Sequence, residues 1–498
     1  MIFTKIRKKL FPVERFELKK LMPLFLMKFF ISFNYGILTC MKDTFVVTAK
    51  GSGAEVIPIL KGWIVLPVAL LVTLLYSKLS NHYKRETIFN GTIIAFLGFI
   101  ALFAFFLFPN REVLSPHQSA DALTNLIGVK YQHWISIYRN WMQALFFVMT
   151  ELWGSIVIFL MFWGFANQIT KVNEAKRFYS LFIVGGDLAA IGTGPLVWHY
   201  ANKYAHLDFS ATLQSLASYV LLFGLIIMVL HWWVVKYVLV DPRLYQPDEI
   251  QKKNLGKTKL SLKEGIKFIA SSKYLRCIAI MVIAYGLTIN LIEVTWKAHL
   301  KELYPNAADY QAFMSKITSS VGIASFLTAL FAGGGIIRFF GWKFSAQITP
   351  FVVGSTGLLF LTMVLLKASL PTILGLSPLA LIVILGAIQN VSSKVMKYSF
   401  FDPTKEMAFI PLDQESKVKG KAAIDIIGSR LGKSGSAWIQ ILLIELAGTG
   451  SVMSITYFLV PIVIISVVQW IFSVKSLSRQ FVTQKEPKEG VISEPTSS

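Results

Sequence analysis

The sequence predicts an all-α polytopic membrane protein with about twelve transmembrane helices in two six-helix halves. Of its 498 residues 54% are hydrophobic and only 15% are charged, whereas soluble domains carry about 25% charged residues. The mean hydropathy is +0.59. The apolar residues are gathered in stretches of about 20, the length that an α-helix needs to cross about 30 Å of hydrocarbon. Together these observations exclude an ordinary soluble fold.

Twelve stretches satisfy this length criterion, with boundaries defined to within a few residues. The predicted spans are 22–40, 56–76, 88–108, 143–168, 178–200, 215–240, 275–296, 317–337, 345–366, 373–393, 422–447 and 452–474. The first and the eleventh are the least apolar of the twelve. The first contains Lys28, which is expected to lie near the membrane interface, and the eleventh contains Asp425, Arg430 and Lys433.

The distribution of Lys and Arg predicts the orientation, because short cytoplasmic loops accumulate these residues. With both termini in the cytoplasm, 33 of the 49 Lys and Arg residues fall in cytoplasmic segments. The opposite orientation would invert this bias. The net charge of +22 is therefore attributed to membrane topology and to attraction by anionic lipid, and no nucleic-acid partner is predicted.

The chain divides into five segments. Residues 1–21 form a basic cytoplasmic lead-in, which lacks the apolar core and cleavage site of a signal peptide. The N-terminal half covers 22–240 and the C-terminal half covers 275–474, joined by a cytoplasmic loop at 241–274. The polar, proline-containing tail at 475–498 is expected to be cytoplasmic and disordered.

A short internal repeat supports the division into halves. The segment "FNYGILTCMKDTF" aligns with "IAYGLTINLIEVTW", which matches the Tyr-Gly pair at 35–36 with that at 285–286 and Asp43 with Glu293. Two repeated units with a site between them near the bilayer midplane are a recurring transporter plan. The expected architecture therefore resembles the major facilitator plan.

Four charged residues lie within or near apolar spans: Lys61, Glu151, Glu293 and Lys433. A charge at the bilayer centre costs about 2.5–3.5 kcal/mol on insertion scales, so it persists where it faces a partner or a water-filled cavity. Two anions and two cations predict one shared polar cavity. For Lys61 and Glu293 a position near the interface is the alternative, and for Glu151 a structural ion pair with a buried cation.

No motif indicates catalysis. The segment "GSRLGKSG" is not a phosphate-binding loop, which needs four residues between its glycines; Gly428 and Gly432 enclose three. This G-x-x-x-G spacing instead predicts close helix packing. The seven histidines form no metal-binding or nucleophile–base motif, and Cys40 and Cys277 are expected to be apolar packing residues. No cofactor, metal site or ATPase module is predicted, and a membrane-embedded enzyme is the disfavoured alternative.

Four longer motifs carry a family resemblance: "KDTFVVTAKGSGAEVIPILKGW", "ELWGSIVIFLMFWGFANQITKVNEAKRFY", "YGLTINLIEVTWK" and "DPTKEMAFIPLD". Over nearly the whole chain, excluding the tail, the sequence resembles the ATP/ADP translocase family of obligate intracellular bacteria and plastids. The resemblance implies import of host ATP in exchange for ADP across the cell inner membrane, and a monomer is expected. It places the family's functional charges on the same four residues, Lys61, Glu151, Glu293 and Lys433.

The chain departs from the family pattern at one place. Relatives usually read Leu-Arg-Asp-Thr-Lys-Asp where this chain reads "LTCMKD", so Thr39 and Cys40 replace an arginine and an aspartate. The loss of this pair predicts a shift in selectivity. Other ribonucleotides (GTP, UTP, CTP) or NAD, with proton coupling, are the alternative substrates within the family, and organic phosphate or peptide is the alternative outside it.

The expected mechanism is alternating access around a polar cavity. The residues assigned to the substrate site are Lys61, Glu151, Glu293, Lys433, Lys42 and Arg430. The four cations are expected to bind phosphates through charge-assisted hydrogen bonds. The two carboxylates are expected to hold those cations in place when the cavity is empty and to bond ribose or base. Energy is expected to come from counter-exchange or an ion gradient.

Overall fold

The computed structural model describes residues 14, 16–245, 262–330, 334–373, 375–412, 420–424 and 428–483. Within these residues the chain is almost entirely helical, and its only extended pairing is an isolated bridge between Ile373 and Leu376. The described part contains twelve long helices, labelled in chain order. They are α1 (Leu18–Thr48), α2 (Val56–Ser80), α3 (Arg85–Leu107), α4 (Trp141–Ile169), α5 (Val172–Lys203), α6 (Phe209–Val238), α7 (Lys273–Leu303), α8 (Ala307–Thr328), α9 (Gly334–Leu365), α10 (Pro378–Ala408), α11 (Ser429–Ala447) and α12 (Thr456–Thr483).

Short helices complete the described connections. They cover Arg111–Leu114, His117–Ile127, Gln132–Arg139, Leu262–Ser271 and Lys421–Ala423. The helix α12 continues to Thr483, into the segment that was expected to be a disordered tail. Most of the predicted lead-in, residues 246–261 of the central loop and residues 484–498 of the tail lie outside the described residues.

Ten of the long helices are long and apolar enough to cross a membrane, which confirms a polytopic all-helical membrane protein. The other two, α8 and α11, are more polar than the remaining ten. Their polar side chains are buried against neighbouring helices, as shown by Gln311, Ser315, Ser436 and Gln440, each at most 1% exposed. Since these residues avoid lipid, α8 and α11 do not need a continuous apolar surface.

Two helices extend further than the apolar runs predicted. The first continues to Thr48 rather than ending at residue 40, so Lys42 and Asp43 lie inside α1. The seventh continues to Leu303, so Glu293 lies inside α7 and not at its end. The hydropathy pattern ended both spans at their charged residues, although those residues are paired inside the bundle.

Two further expectations were wrong in position. The helix α8 covers Ala307–Thr328, N-terminal to the predicted 317–337, because its first turns are polar and escape a hydropathy criterion. The side chain of Asn306 caps this start by accepting a hydrogen bond from the Ala308 amide at 3.0 Å. Lys28, expected at the interface, is only 8% exposed, and its ammonium donates to Ser32 Oγ at 2.9 Å.

The helix contacts follow a twofold pattern in which each helix corresponds to the one six places later. The helix α1 packs against α4, α5 and α6, and α7 packs against α10, α11 and α12. Between the two sets, α2 packs against α11 and α5 packs against α8. These two contacts are equivalent, because α2 corresponds to α8 and α5 corresponds to α11. This pattern agrees with the sequence repeat, while the exact limits of the two halves stay a prediction.

The repeated Tyr-Gly pairs make equivalent contacts. A Cβ on Gly36 would lie 2.8 Å from Thr193 Oγ1 of α5, and a Cβ on Gly286 would lie 3.1 Å from the Cα of Gly432 in α11. Because α5 and α11 correspond, both glycines allow the same kind of close helix approach. The packing function predicted for Gly432 is confirmed, since its own Cβ would meet the backbone of α7.

Gly432→Ala is expected to lower the melting temperature and the transport rate of the protein. The new methyl group would lie 3.1 Å from the Gly286 Cα and the Ile283 carbonyl oxygen, and backbone atoms cannot move aside as a side chain can. Such overpacking costs about 1–3 kcal/mol. The control is Gly435→Ala on the same helix, where nothing lies within 4 Å of the added Cβ. Equal melting temperatures for the two variants would contradict a tight α7–α11 seam.

The apolar cores show on which side the halves meet. One core lies within α1–α6, and another joins the beginning of α7 to the ends of α10 and α12. A third joins the end of α1 and the beginnings of α2 and α4 to the end of α7 and to α8–α12. Among the described residues, the apolar core that includes both halves therefore lies on the side where α1 and α7 end.

Candidate functional site

Four predicted site residues come together from four different helices. Lys61 lies on α2, Glu151 on α4, Glu293 on α7 and Lys433 on α11. The Glu151 carboxylate lies within electrostatic reach of both lysines, and so does the Glu293 carboxylate. The structure thus places two anions and two cations around one region between the halves. Their role as substrate ligands stays a prediction.

Local departures from α-helical geometry accompany these charges. Lys61 lies in a π-helical segment, Leu60–Val65, and Glu151 lies two residues before the π-helical segment Trp153–Phe162. Other π-helical segments are Lys397–Phe401 in α10, Phe103–Leu107 in α3 and Val234–Val238 in α6. Such wide turns are rare and are found preferentially at functional sites. The segments in α2, α4 and α10 contain or flank charged residues of the cluster, whereas those in α3 and α6 do not.

A chain of alternating charges begins at α4 and passes into α1. The ammonium of Lys42 donates a hydrogen bond to Glu151 and lies 3.8 Å from Asp43 Oδ1. It also lies 4.3 Å from the centre of the Phe147 ring, a cation–π contact. Lys42 is 4% exposed and Asp43 is 2% exposed. Lys42 is thus held behind Glu151 in a buried position.

The same chain continues into the C-terminal half. Lys297 Nζ lies 2.9 Å from Asp43 Oδ2 and 3.0 Å from Glu293 Oε1. Lys394 Nζ, on α10, lies 4.0 Å from the same Glu293 oxygen. Lys297 is 2% exposed, so the contact between Lys297 and Asp43 is a buried ion pair that joins α7 to α1. This pair connects the central helices of the two halves.

Lys61 and Lys433 stand outside this charge-balanced chain. Lys61 Nζ donates to the neutral Asn290 Oδ1 at 3.1 Å. Within the described residues, neither Lys61 nor Lys433 is within ion-pair distance of a carboxylate. Because the chain itself contains three cations and three anions, these two lysines leave a local excess of positive charge. Such a region is suited to a multiply charged anion.

The remaining predicted residues have different environments. Lys433 is exposed, in contrast to the buried Lys42, which makes Lys433 the more accessible ammonium. The backbone of Arg430 belongs to the first turn of α11, but its side chain lies outside the described residues. The cations predicted from the sequence therefore have different environments. Lys433 is accessible, whereas Lys42 is buried and holds the Glu151 carboxylate.

The structure adds site residues that the sequence prediction did not include. Lys297 follows Glu293 by four residues, so their pairing on one helix face could have been read from the sequence. Lys394 lies one residue after the predicted tenth span, where a charge does not stand out in a hydropathy pattern. Asn290 carried no signal, because a neutral amide in an apolar run does not indicate which helix it faces.

Both cysteines are free and buried, which confirms their interpretation as packing residues. Cys277 lies in the apolar core of the C-terminal half. Cys40 also makes a polar contact, with its Sγ 3.3 Å from Thr318 Oγ1 of α8. The departure from the family pattern at Thr39 and Cys40 therefore includes a residue that lies at a contact between the two halves.

The chain matches known transporters over almost its full length. Residues 1–481 match the family model described as TLC ATP/ADP transporter. The chain is 44% identical to ADP,ATP carrier protein 1 of Chlamydia pneumoniae, over 99% of this chain and 98% of that protein. It is 43% identical to the chloroplastic ADP,ATP carrier protein 1 of Arabidopsis thaliana, over 97% of this chain and 77% of that protein.

A solved structure shares the fold. A bacterial homologue of the iron transporter ferroportin, in an inward-facing state, is similar with a TM-score of 0.57 and 14% identity, over 93% of this chain and 98% of that chain. At this identity the likeness bears on the fold alone, and it confirms the predicted major facilitator plan. The family-model match over residues 1–481 and the 44% identity to a relative over 99% of this chain establish that the chain belongs to the TLC ATP/ADP transporter family.

Proposed function

We propose that this protein is a nucleotide antiporter that imports ATP in exchange for ADP and leaves both chemically unchanged. The observation that carries the proposal is the pair of cations, Lys61 and Lys433, that stands outside the charge-balanced chain between the halves. ATP and ADP carry several negative charges, which such a pair can bind. The relatives named ADP,ATP carrier proteins support nucleotides as the substrate class.

One phosphate-binding cation comes from each half. Lys61 belongs to α2 and Lys433 to α11, and these two helices pack against each other across the halves. With the site empty, the two ammonium groups repel each other. A phosphate chain between them turns this repulsion into attraction and draws α2 and α11 together. The closed intermediate therefore forms with substrate bound, which makes exchange the preferred mode of transport.

The carboxylates keep the cations in place between cycles. Glu151 holds the buried Lys42, and Glu293 lies between Lys297 and Lys394. Without them, a cluster of bare cations would bind phosphate too tightly to release it. Lys42 acts by positioning Glu151, and Arg430 keeps its predicted role as a further phosphate ligand. The empty site thus carries a net positive charge that the carboxylates keep small.

The protein is assigned to the cell inner membrane as a monomer with both termini in the cytoplasm. This orientation rests on the bias of Lys and Arg toward the predicted cytoplasmic segments. The shared apolar core then lies on the external side, so the described conformation is closed toward the exterior. ATP released from this conformation would enter the cytoplasm.

Uptake of labelled ATP into liposomes that contain the purified protein tests the proposal. Liposomes preloaded with ADP are expected to take up ATP at least tenfold faster than empty liposomes. Unlabelled ADP should compete with ATP, whereas organic phosphates and peptides should not. If another ribonucleotide or NAD competes and ADP does not, ATP/ADP exchange is the wrong reaction for this family member. If no nucleotide competes, nucleotide transport itself is wrong.

Glu151→Gln is expected to reduce the ATP uptake rate about a hundredfold, and Glu293→Gln about tenfold. Loss of the Glu151 charge leaves the buried Lys42 with one carboxylate among the described residues, Asp43 at 3.8 Å, besides the Phe147 ring. Loss of the Glu293 charge leaves Lys297 paired with Asp43 at 2.9 Å. Because a buried charge that has lost its close partner is costly, the Glu151 variant should lose more activity than the Glu293 variant. Rates measured in ADP-loaded liposomes check this order.

The control for the carboxylate variants is Glu302→Gln. Glu302 pairs with Lys367 at 2.6 Å in an exposed position, where such a pair contributes about 0–1 kcal/mol. Its replacement should change the rate less than about twofold. Equal rates for Glu151→Gln and Glu293→Gln would contradict the asymmetry. A pH dependence that is unchanged in both variants would exclude proton coupling through these carboxylates.

A further inference from the structure

The π-helical segment of α10 presents an exposed tyrosine between the two halves. Tyr398 is 48% exposed, although it lies within electrostatic reach of Tyr35 on α1 and of Tyr285 on α7. The helices α1 and α7 are the central helices of their halves and are joined by a buried ion pair. Tyr398 follows Lys394 by four residues on α10, which places the two side chains on one face of that helix, and Lys394 Nζ lies 4.0 Å from Glu293 Oε1. The ring of Tyr398 therefore lies on the side of α10 that faces the charge cluster.

The neighbouring aromatic rings are already packed. Tyr285 stacks on Phe401 with ring centres 4.7 Å apart and an interplanar angle of 20°, and Phe401 in turn meets Trp470 edge-on. Tyr35 lies against α4, where a Cβ on Gly154 would come within 3.2 Å of its hydroxyl oxygen. Of the tyrosines on α1, α7 and α10 in this region, Tyr398 is therefore the exposed one.

The ring of Tyr398 lies beside the cations of the site. Lys397 Nζ is 4.6 Å from the centre of the ring and is paired with Asp402 Oδ2 at 3.0 Å. Lys397 is in turn within electrostatic reach of Lys433. A molecule whose phosphates bind Lys433 can thus extend its uncharged end toward Tyr398. The site combines cations for a phosphate chain with an accessible aromatic face, the combination with which single-strand-binding proteins hold the phosphates and bases of nucleic acids.

We propose that Tyr398 is the stacking surface for the base of the nucleotide whose phosphates bind Lys61 and Lys433. This inference rests on the proposed function and specifies how the same site recognises its substrate. Aromatic stacking tolerates any base, because every base has a π-face. Tyr398 therefore favours nucleotides over phosphates that lack a base, and it does not select among bases. The neighbouring Lys397 adds a cation beside the stacked pair.

The test replaces Tyr398 by Phe, Leu or Ala and measures labelled ATP uptake into ADP-loaded liposomes. Stacking on a protein ring changes affinity by about fivefold to a hundredfold per base. Tyr398→Ala and Tyr398→Leu are therefore expected to raise the KM for ATP about tenfold, while Tyr398→Phe stays within about twofold of the unmodified protein. The control is Tyr457→Ala, at an exposed tyrosine (70%) in the first turn of α12.

Competition by tripolyphosphate separates the base from the phosphates. Its inhibition constant against ATP uptake should be the same in Tyr398→Ala as in the unmodified protein, while that of ADP should rise about tenfold. A KM in Tyr398→Leu equal to that of the unmodified protein would overturn the proposal. An equal loss of affinity for tripolyphosphate and ADP would also overturn it, since Tyr398 would then act on the phosphates or on folding.

Failure of the proposed function gives a different result. In that case the unmodified protein itself takes up no nucleotide, so the missing uptake cannot be due to a replacement of Tyr398. If the unmodified protein exchanges ATP for ADP while the Leu and Phe variants are equivalent, nucleotide exchange stands and the stacking assignment is wrong. Melting temperatures of the variants within about 2 °C of the unmodified protein show that a change in KM reflects recognition.

Discussion

Lys433→Ala and Lys61→Ala are each expected to reduce the ATP uptake rate by about a hundredfold or more while the protein still folds. Both ammonium groups stand outside the buried chain of ion pairs, so their removal leaves no carboxylate unpaired. What is lost is a charge-assisted hydrogen bond to phosphate, which is about twice as strong as a neutral one. Uptake into ADP-loaded liposomes measures the effect.

Two further variants sharpen this prediction. Lys433→Arg should recover part of the lost rate, because the charge is kept while a planar guanidinium replaces a compact ammonium. Lys343→Ala, at an exposed position of α9, is the matched control and should be active. Full activity of Lys61→Ala or Lys433→Ala would remove that residue from the site. Loss of the folded protein in either variant would show that the lysine is structural.

Lys297→Met is expected to destabilise the protein by about 3–5 kcal/mol, because it leaves a buried charge without its partner. Lys297 is 2% exposed and lies 2.9 Å from Asp43, which is itself 2% exposed. Without the ammonium, the ion pair that Asp43 keeps within the described part of the chain is the one with Lys42 at 3.8 Å. The melting temperature in detergent and the yield of folded protein measure the loss.

The double variant Asp43→Asn with Lys297→Met should recover most of this stability, since both members of the buried pair are then neutral. Glu293 still has Lys394 at 4.0 Å. The control is Lys367→Met, which breaks an exposed pair with Glu302 and should cost at most about 1 kcal/mol. A double variant that is no more stable than Lys297→Met alone would show that the Asp43 charge is not the source of the cost.

The membrane class, the helical fold and four charged residues that meet in the bundle could be read from the sequence. A span of about 20 apolar residues is a local property of the chain, and a charge within it is conspicuous because its burial is costly. Lys61, Glu151, Glu293 and Lys433 stand out in this way before any contact is known. The small-residue spacing at Gly428 and Gly432 likewise predicted a packing seam, which Gly432 forms with Gly286.

The pairing of these charges depends on the tertiary structure. Lys297 and Asp43 are 254 positions apart in the chain, and no periodicity in either helix indicates that they meet. The predicted spans ended at residues 40 and 296, before these two charges, whereas α1 and α7 continue to Thr48 and Leu303. The accessibility of Tyr398 and the side on which the halves share an apolar core are likewise set by helix packing. Hydropathy depends on neighbours in sequence, whereas ion pairing and accessibility depend on neighbours in space.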